Sequence, residues 1–271
     1  MLGSRRAFLT TTIAGGFLAG PRLRPAVAQS AVGNNEFGVK ALFFDMFGTV
    51  VDWRTGVAHE AEAHLKPRGY NLDWFAFADA WRAGYGPATE EVTSGRIPFA
   101  KLDVLHRKIL DSILPRFNIK DLPEDVAHSL NLAWHRLDVW PDVTASLPRL
   151  EKKFLLAPVS NGHIALTVDL DRRNNLHFDA VLGSELAQDY KPKPRIYLSA
   201  VEAFELQPNE CLMVSASGHT GDIKGAAAAG LRTASVARPD EFGPGTQPSV
   251  PKTHADIVVG SLIELADKLG A

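Results

Sequence analysis

The sequence predicts an α/β protein: a doubly wound parallel sheet with an all-helical cap inserted after its first strand. Three observations predict it. Short continuous apolar runs at 39–44, 154–159, 180–182, 211–215, 233–236 and 257–259 have the make-up of strands buried on both faces of a parallel sheet. Helical patterns separate them, at 164–174, 195–204, 222–229 and 261–269, and such alternation builds βαβ units. The stretch 57–140 breaks the alternation, being helical and rich in Trp, His and Arg with no convincing strand.

Each element has its own warrant. The first run, Val39-Lys40-Ala41-Leu42-Phe43-Phe44, ends in Asp45, which a parallel sheet presents at the carboxyl end of a strand, where active residues gather. Gly162, Gly183, Gly230 and Gly243, with Pro192, Pro194, Pro239 and Pro244, punctuate the joins. The core is therefore expected at 38–56 and 141–271, with the cap at 57–140. Trp74, Trp134 and Trp140 are expected to pack the cap against the core. Cys211, the only cysteine, opens an apolar run and is expected to be buried as a small hydrophobe, with no internal disulfide.

Composition narrows the class. At 271 residues, with 45% hydrophobic and 22% charged residues, the chain has the make-up of a soluble globular protein. A formal charge of −2 without a like-charge run offers no basic stripe for nucleic acid. The first 28 residues differ: Ser4-Arg5-Arg6-Ala7-Phe8-Leu9, an apolar glycine-containing stretch, then Ala26-Val27-Ala28. This layout predicts a cleaved export signal, resembling the twin-arginine type. The expected partner is the twin-arginine machinery, the expected location the periplasm or beyond, and the apolar stretch is too short to hold the mature chain in a membrane. The mature chain would carry 25 basic against 31 acidic side chains, a charge of −6.

Four strand ends carry polar groups. Asp45-Met46-Phe47-Gly48-Thr49 follows the first strand, and Ser160-Asn161-Gly162 ends the second core strand. Lys191-Pro192-Lys193-Pro194-Arg195-Ile196-Tyr197 comes third, and Ser215-Ala216-Ser217-Gly218-His219-Thr220-Gly221-Asp222 fourth. A lone acid after a strand also serves as a strand-end cap, and Lys191 beside Lys193 also reads as a solvated loop. Ser160-Asn161 also reads as a strand-ending turn, Ser217 as a turn former, and Tyr197 as ring packing.

In this order and spacing the four motifs resemble the haloacid dehalogenase superfamily, across about residues 38–270. The resemblance implies a Rossmann-like core and a carboxylate nucleophile at Asp45. Its phosphatases carry a second Asp two residues after the nucleophile, where this chain has Phe47, and further acids in the fourth motif, where it has Ser217. The remaining features resemble the (S)-2-haloacid dehalogenase branch, whose members hydrolyse carbon–halide bonds without metal or cofactor. That resemblance implies a short halogenated carboxylic acid and water as substrates, and a homodimer as the assembly.

It also implies roles. Thr49 supports Asp45, and Arg82, after Trp81 on the cap, meets the halogen side. Ser160 and the N–H groups of Met46 and Phe47 hold the substrate carboxylate, and Asn161 lines the halide side. Lys191 orients Asp45, Tyr197 keeps the family gap of six from Lys191, and Asp222 positions Lys191 and the hydrolytic water. Ser217 opens the family's S-x-N-x-x-D pattern, in which His219 replaces Asn. Histidine there either bonds the water or acts as a base. Gly221, Phe47 and Gly86 depart from the family's Trp, Tyr and apolar cap residue and leave substrate identity open. A phosphatase with an unusual metal site and a non-catalytic carboxylate-binding module are the alternatives. His59, His106, His128 and His135 lack the paired spacing of a metal site, so none is expected. Arg238-Pro239 with Phe242-Gly243-Pro244 reads either as a pocket edge or as an ordinary loop.

Overall fold

The computed structural model describes residues 37–246 and 254–271; the expected leader at 1–28 lies outside them. Strand β1 is Ala41–Phe44, followed by α1 (Trp53–Leu65), α2 (Trp74–Ala83), α3 (Tyr85–Thr93), α4 (Leu102–Ile113) and α5 (Glu124–Asn131). Helix α6 (Pro141–Leu150) leads into β2 (Leu155–Ser160), α7 (Ile164–Asn174), β3 (Leu182–Gly183), α8 (Ser184–Ala187) and α9 (Pro194–Ala203). The chain then runs through β4 (Cys211–Ala216), α10 (Thr220–Ala228), β5 (Arg232–Val236), β6 (Ile257–Val259) and α11 (Leu262–Lys268).

The six strands lie in the order β3-β2-β1-β4-β5-β6 and every neighbouring pair is parallel. Chain order reverses between β1 and β4, which is where an open α/β sheet leaves a crevice at its strand ends. Ala41 is in register with both Leu155 and Cys211, so the residues after β1, β2 and β4 emerge at one rim. Alternate residues of β1 feed opposite layers: Leu42 and Phe44 join one apolar cluster, Ala41 and Phe43 the other. That double burial is why the run is apolar throughout instead of alternating.

Helix α6 packs against α11 as part of the core, and helices α1 to α5, between β1 and β2, form the cap. Its seam with the core is aromatic: Trp134 lies 5.7 Å from Phe47, 6.2 Å from Trp53 and 5.6 Å from Trp81, centroid to centroid. Trp140 donates from Nε1 to the Gly48 carbonyl at 3.1 Å, and Trp74 packs against the same cluster. Cys211 is buried, which pushes its thiol up to about 12.

Two elements differ from expectation. The strand expected at 180–182 is only Leu182–Gly183, because it is an edge strand and Asp179 instead ties to β2, its side chain accepting from the Leu156 N–H at 2.8 Å. The helix expected from 222 starts at Thr220, since the His219 carbonyl already accepts from the Asp222 N–H at 3.0 Å. Asp222 thus stands in a first turn, where the helix dipole favours a carboxylate.

Candidate active site

The site is built on the rim between β1 and β4. Asp45 follows β1 directly and is 8% exposed. The chain turns at once, the Met46 carbonyl accepting from Val50 and Val51 N–H, so Thr49 folds back and its hydroxyl donates to Asp45 Oδ2 at 2.9 Å. Thr49 Oγ1 in turn accepts from the Ala216 N–H at 2.7 Å, which locks the β1 turn to the end of β4.

Lys191 enters from the loop before α9 and spans two carboxylates, 3.2 Å from Asp45 Oδ1 and 2.6 Å from Asp222 Oδ2. Tyr197, one turn into α9, donates to Asp222 Oδ1 at 2.7 Å, and Ser215 donates to Asp222 Oδ2 at 3.0 Å. Tyr197 is therefore more than ring packing under the sheet. Ser217 does not reach this network: its buried hydroxyl has no partner among the described residues, and Ser215, two residues earlier at the end of β4, bonds Asp222.

His219 completes the surround of Asp45. Its Nδ1 lies 3.0 Å from Asp45 Oδ2 and its Nε2 lies 2.8 Å from Glu241 Oε1. Glu241 is wholly buried and also accepts from Trp53 Nε1 at 3.3 Å. Burial opposes charge on the imidazole, but the Glu241 and Asp45 carboxylates outweigh it and push His219 up to about 10. Burial would likewise raise Asp45, yet Lys191 and His219 hold it far below the usual carboxylate range. Asp222 is raised, by burial and by the Asp45 charge against the pull of Lys191. For Lys191, burial is outweighed by Asp222 and Asp45, and its ammonium is held above the ordinary value. The result is an ionised, nearly buried carboxylate with a cation facing each oxygen.

The cap supplies the facing wall. Arg82 stacks on the Tyr85 ring at 4.2 Å and on Trp53 at 5.3 Å, and its buried Nη1 has no partner among the described residues. Asn161, after β2, donates to the Tyr85 hydroxyl at 2.7 Å while its Oδ1 accepts from the Lys191 N–H at 2.8 Å. One side chain therefore joins cap, β2 and the lysine loop. Ser160 is fully buried and accepts from the Gly162 N–H at 3.1 Å. Phe47, buried at the turn, meets Trp134 edge-on and leaves no proton-transferring group there.

The structure thus gathers Asp45, Thr49, Lys191, Tyr197, His219 and Asp222 in one network. Arg82 and Asn161 meet through Tyr85, and Met46 and Phe47 form the turn. Sequence reasoning missed Glu241, Tyr85, Trp53 and Ser215. Glu241 lies in the Arg238–Pro244 loop, which is a pocket edge: Arg238 is buried and donates to the Thr49 carbonyl at 2.9 Å. Its signal was the glycine at 48, whose φ of +86° and missing Cβ make room for Glu241; a Cβ there would stand 2.1 Å from Oε1. Tyr85 stands three residues after Arg82, a spacing that places two side chains together on a helical surface.

Comparison with known proteins places this architecture. The haloacid dehalogenase-like hydrolase family model matches residues 39–230. The chain is 26% identical to (S)-2-haloacid dehalogenase 1 of Pseudomonas sp. (strain CBS-3), over 75% of this chain and 88% of that protein. It is 32% identical to the phosphoserine phosphatase of Thermus thermophilus, over 75% of this chain and 78% of the phosphatase. The crystal structure of a defluorinating L-2-haloacid dehalogenase superposes with a TM-score of 0.82 at 36% identity, covering 86% of this chain and 96% of the other. With its strand order, its helical insertion and its Asp45 centre, the chain belongs to the haloacid dehalogenase-like hydrolase family.

Proposed function

We propose that this chain hydrolyses short 2-haloalkanoic acids to 2-hydroxy acids through an aspartyl ester on Asp45, with no metal in the reaction. The observation that carries the reading is the donor set around the two carboxylates. Asp45 Oδ1 takes Lys191 and its Oδ2 takes Thr49 and His219; Asp222 Oδ1 takes Tyr197 and its Oδ2 takes Lys191 and Ser215. Magnesium asks for about six hard oxygens in octahedral geometry. Here every carboxylate oxygen already meets a proton donor, and two of the donors are cations, so the residues do not fit that ion. A carboxylate that is buried, ionised and aimed suits displacement at carbon.

In the first half-reaction an Asp45 oxygen forms a bond to C2 as the C2–halogen bond breaks and the halide leaves with the electron pair. Arg82, with a buried N–H unpartnered among the described residues and a position fixed by Tyr85 and Trp53, receives the halide beside Asn161. Ser160 and the N–H groups of Met46 and Phe47 hold the substrate carboxylate. In the second half, water adds to the Asp45 carbonyl carbon, the 2-hydroxy acid departs, and the carboxylate is restored. Esterification removes one of the two carboxylates that keep His219 protonated, so the imidazolium releases its proton to solvent as the halide leaves; the neutral ring then takes one proton from the attacking water, and the departing hydroxy-acid oxygen takes the other. Glu241 holds the ring in place for that transfer, and Lys191, steadied by Asp222, balances the negative charge that develops on the ester oxygen.

Support for the substrate class comes from the (S)-2-haloacid dehalogenase relatives and from Phe47, which supplies no acid for a phosphate leaving group. The test is halide release from (S)- and (R)-2-chloropropionate and from fluoro- and chloroacetate, in EDTA, by wild type and Asp45→Asn. Release by wild type with a loss of roughly 10⁴-fold or more in the variant is expected. No release from any of these acids, together with Mg²⁺-dependent cleavage of phosphate esters, would overturn the reading.

A further inference from the structure

We propose a second, structural site for a tetrahedral divalent cation of the zinc class, formed by Asp103, His135 and His163 at the seam between cap and core. The sequence disperses these residues: Asp103 begins α4, His135 closes the short turn after α5, and His163 stands just before α7. The fold brings them together, so His135 is not the isolated cap histidine that spacing alone suggests. His135 Nε2 lies 3.1 Å from both Asp103 oxygens, His163 Nε2 lies 3.4 Å from Asp103 Oδ2, and one ligand atom from each residue falls within a 4.8 Å span. Zinc bound at about 2.0–2.1 Å in tetrahedral geometry separates its ligand atoms by about 3.3 Å. The observed separations to Asp103 are of that size.

Three further features favour an ion over a bare ion-pair network. His135 Nδ1 is held by Asp169 Oδ2 at 2.7 Å, the outer carboxylate that metal-binding histidines typically carry because it fixes the ring and its tautomer. His163 is 3% exposed and aims its Nε2 at Asp103 Oδ2, so a buried imidazole nitrogen is already turned toward the cluster. The Asp103 side chain keeps 27% of its exposure and that of Asp169 57%, which leaves an entry path and room for a water as fourth ligand. Asp103 and His135 come from the cap and His163 from the core, so the bound ion would clip one to the other. Neither the ligands nor Asp169 contributes to the network around Asp45, and the site supplies no step of the reaction.

The test uses the full chain, stripped with EDTA, dialysed, and titrated with ZnCl₂ by calorimetry and with CoCl₂ by visible absorption. The expected result is one equivalent of Zn²⁺, a tetrahedral Co²⁺ spectrum, and a melting temperature that rises with added zinc because the ion binds only the folded chain. His163→Gln and Asp103→Asn should each abolish the Co²⁺ spectrum, while His219→Gln in the other centre should leave it unchanged. Asp169→Asn, which spares all three ligands, should weaken zinc binding by about 10–100-fold, and it keeps the question open to measurement if a ligand variant fails to fold. No stoichiometric binding by wild type would overturn the site. So would binding that survives both ligand variants, or binding that is lost with His219→Gln.

Discussion

Asp45 keeps its charge in a buried place because Lys191 and His219 face it from two sides, and Glu241 holds His219 from behind. This chain of residues has a pH signature. The folded His219 is raised from 6.5 to about 10. Its stabilisation is therefore complete below the ordinary value, falls as pH rises, and is lost above about 10. His219→Gln should flatten the decline of melting temperature across that window, and an unchanged decline would place the titration elsewhere. Glutamine can still donate to Asp45 but cannot take a proton, so the variant should also release a burst of halide and accumulate the Asp45 ester, visible by mass spectrometry. The motif residues Asp45, Lys191 and Asp222 were legible as a group because they follow a strand, precede a helix and stand in a helix's first turn, in a fixed order. Glu241 was not, because an acid in a Gly-Pro loop looks solvated until the fold presses it against Gly48 and Trp53.

At the scale of elements, the β1 turn does the positioning. Thr49 reaches back to Asp45 and across to the Ala216 N–H, while Gly48 takes a φ that other residues rarely adopt and cedes its Cβ space to Glu241. Gly48→Ala should therefore cost about 1–3 kcal/mol of stability and uncouple Glu241 from His219. A denaturant midpoint equal to wild type, with unchanged activity, would show that the turn tolerates a Cβ. The sheet strands were legible from their apolar runs because a central parallel strand is buried on both faces. Strand β3 was misplaced because an edge strand of two residues is set by its pairing with Val159 and Ser160, which no local pattern encodes. The start of α10 moved for a similar reason, since a carbonyl of the preceding turn decides it.

For the whole molecule, the helical cap packs over the strand rim that carries Asp45. Trp134 packs among Phe47, Trp53 and Trp81, Asn161 ties Tyr85 to the Lys191 loop, and the Tyr190 hydroxyl donates to the Ala100 carbonyl at 2.6 Å. The cap was legible as a helical interruption of the strand–helix alternation. Its contacts with the core were not, because they join residues far apart in sequence through shapes that only the packed fold defines. In the proposed reaction, cap and core together would hold substrate against the buried Asp45, and the point to decide is whether the carboxylate or a water molecule attacks C2. A single turnover in ¹⁸O-water, with enzyme in excess over (S)-2-chloropropionate, separates the two. If Asp45 is the nucleophile, the first product carries unlabelled oxygen and the label appears in the Asp45 side chain, read by peptide mass spectrometry. Label in the product with none in Asp45 would mean that water displaced the halide directly and would contradict the account.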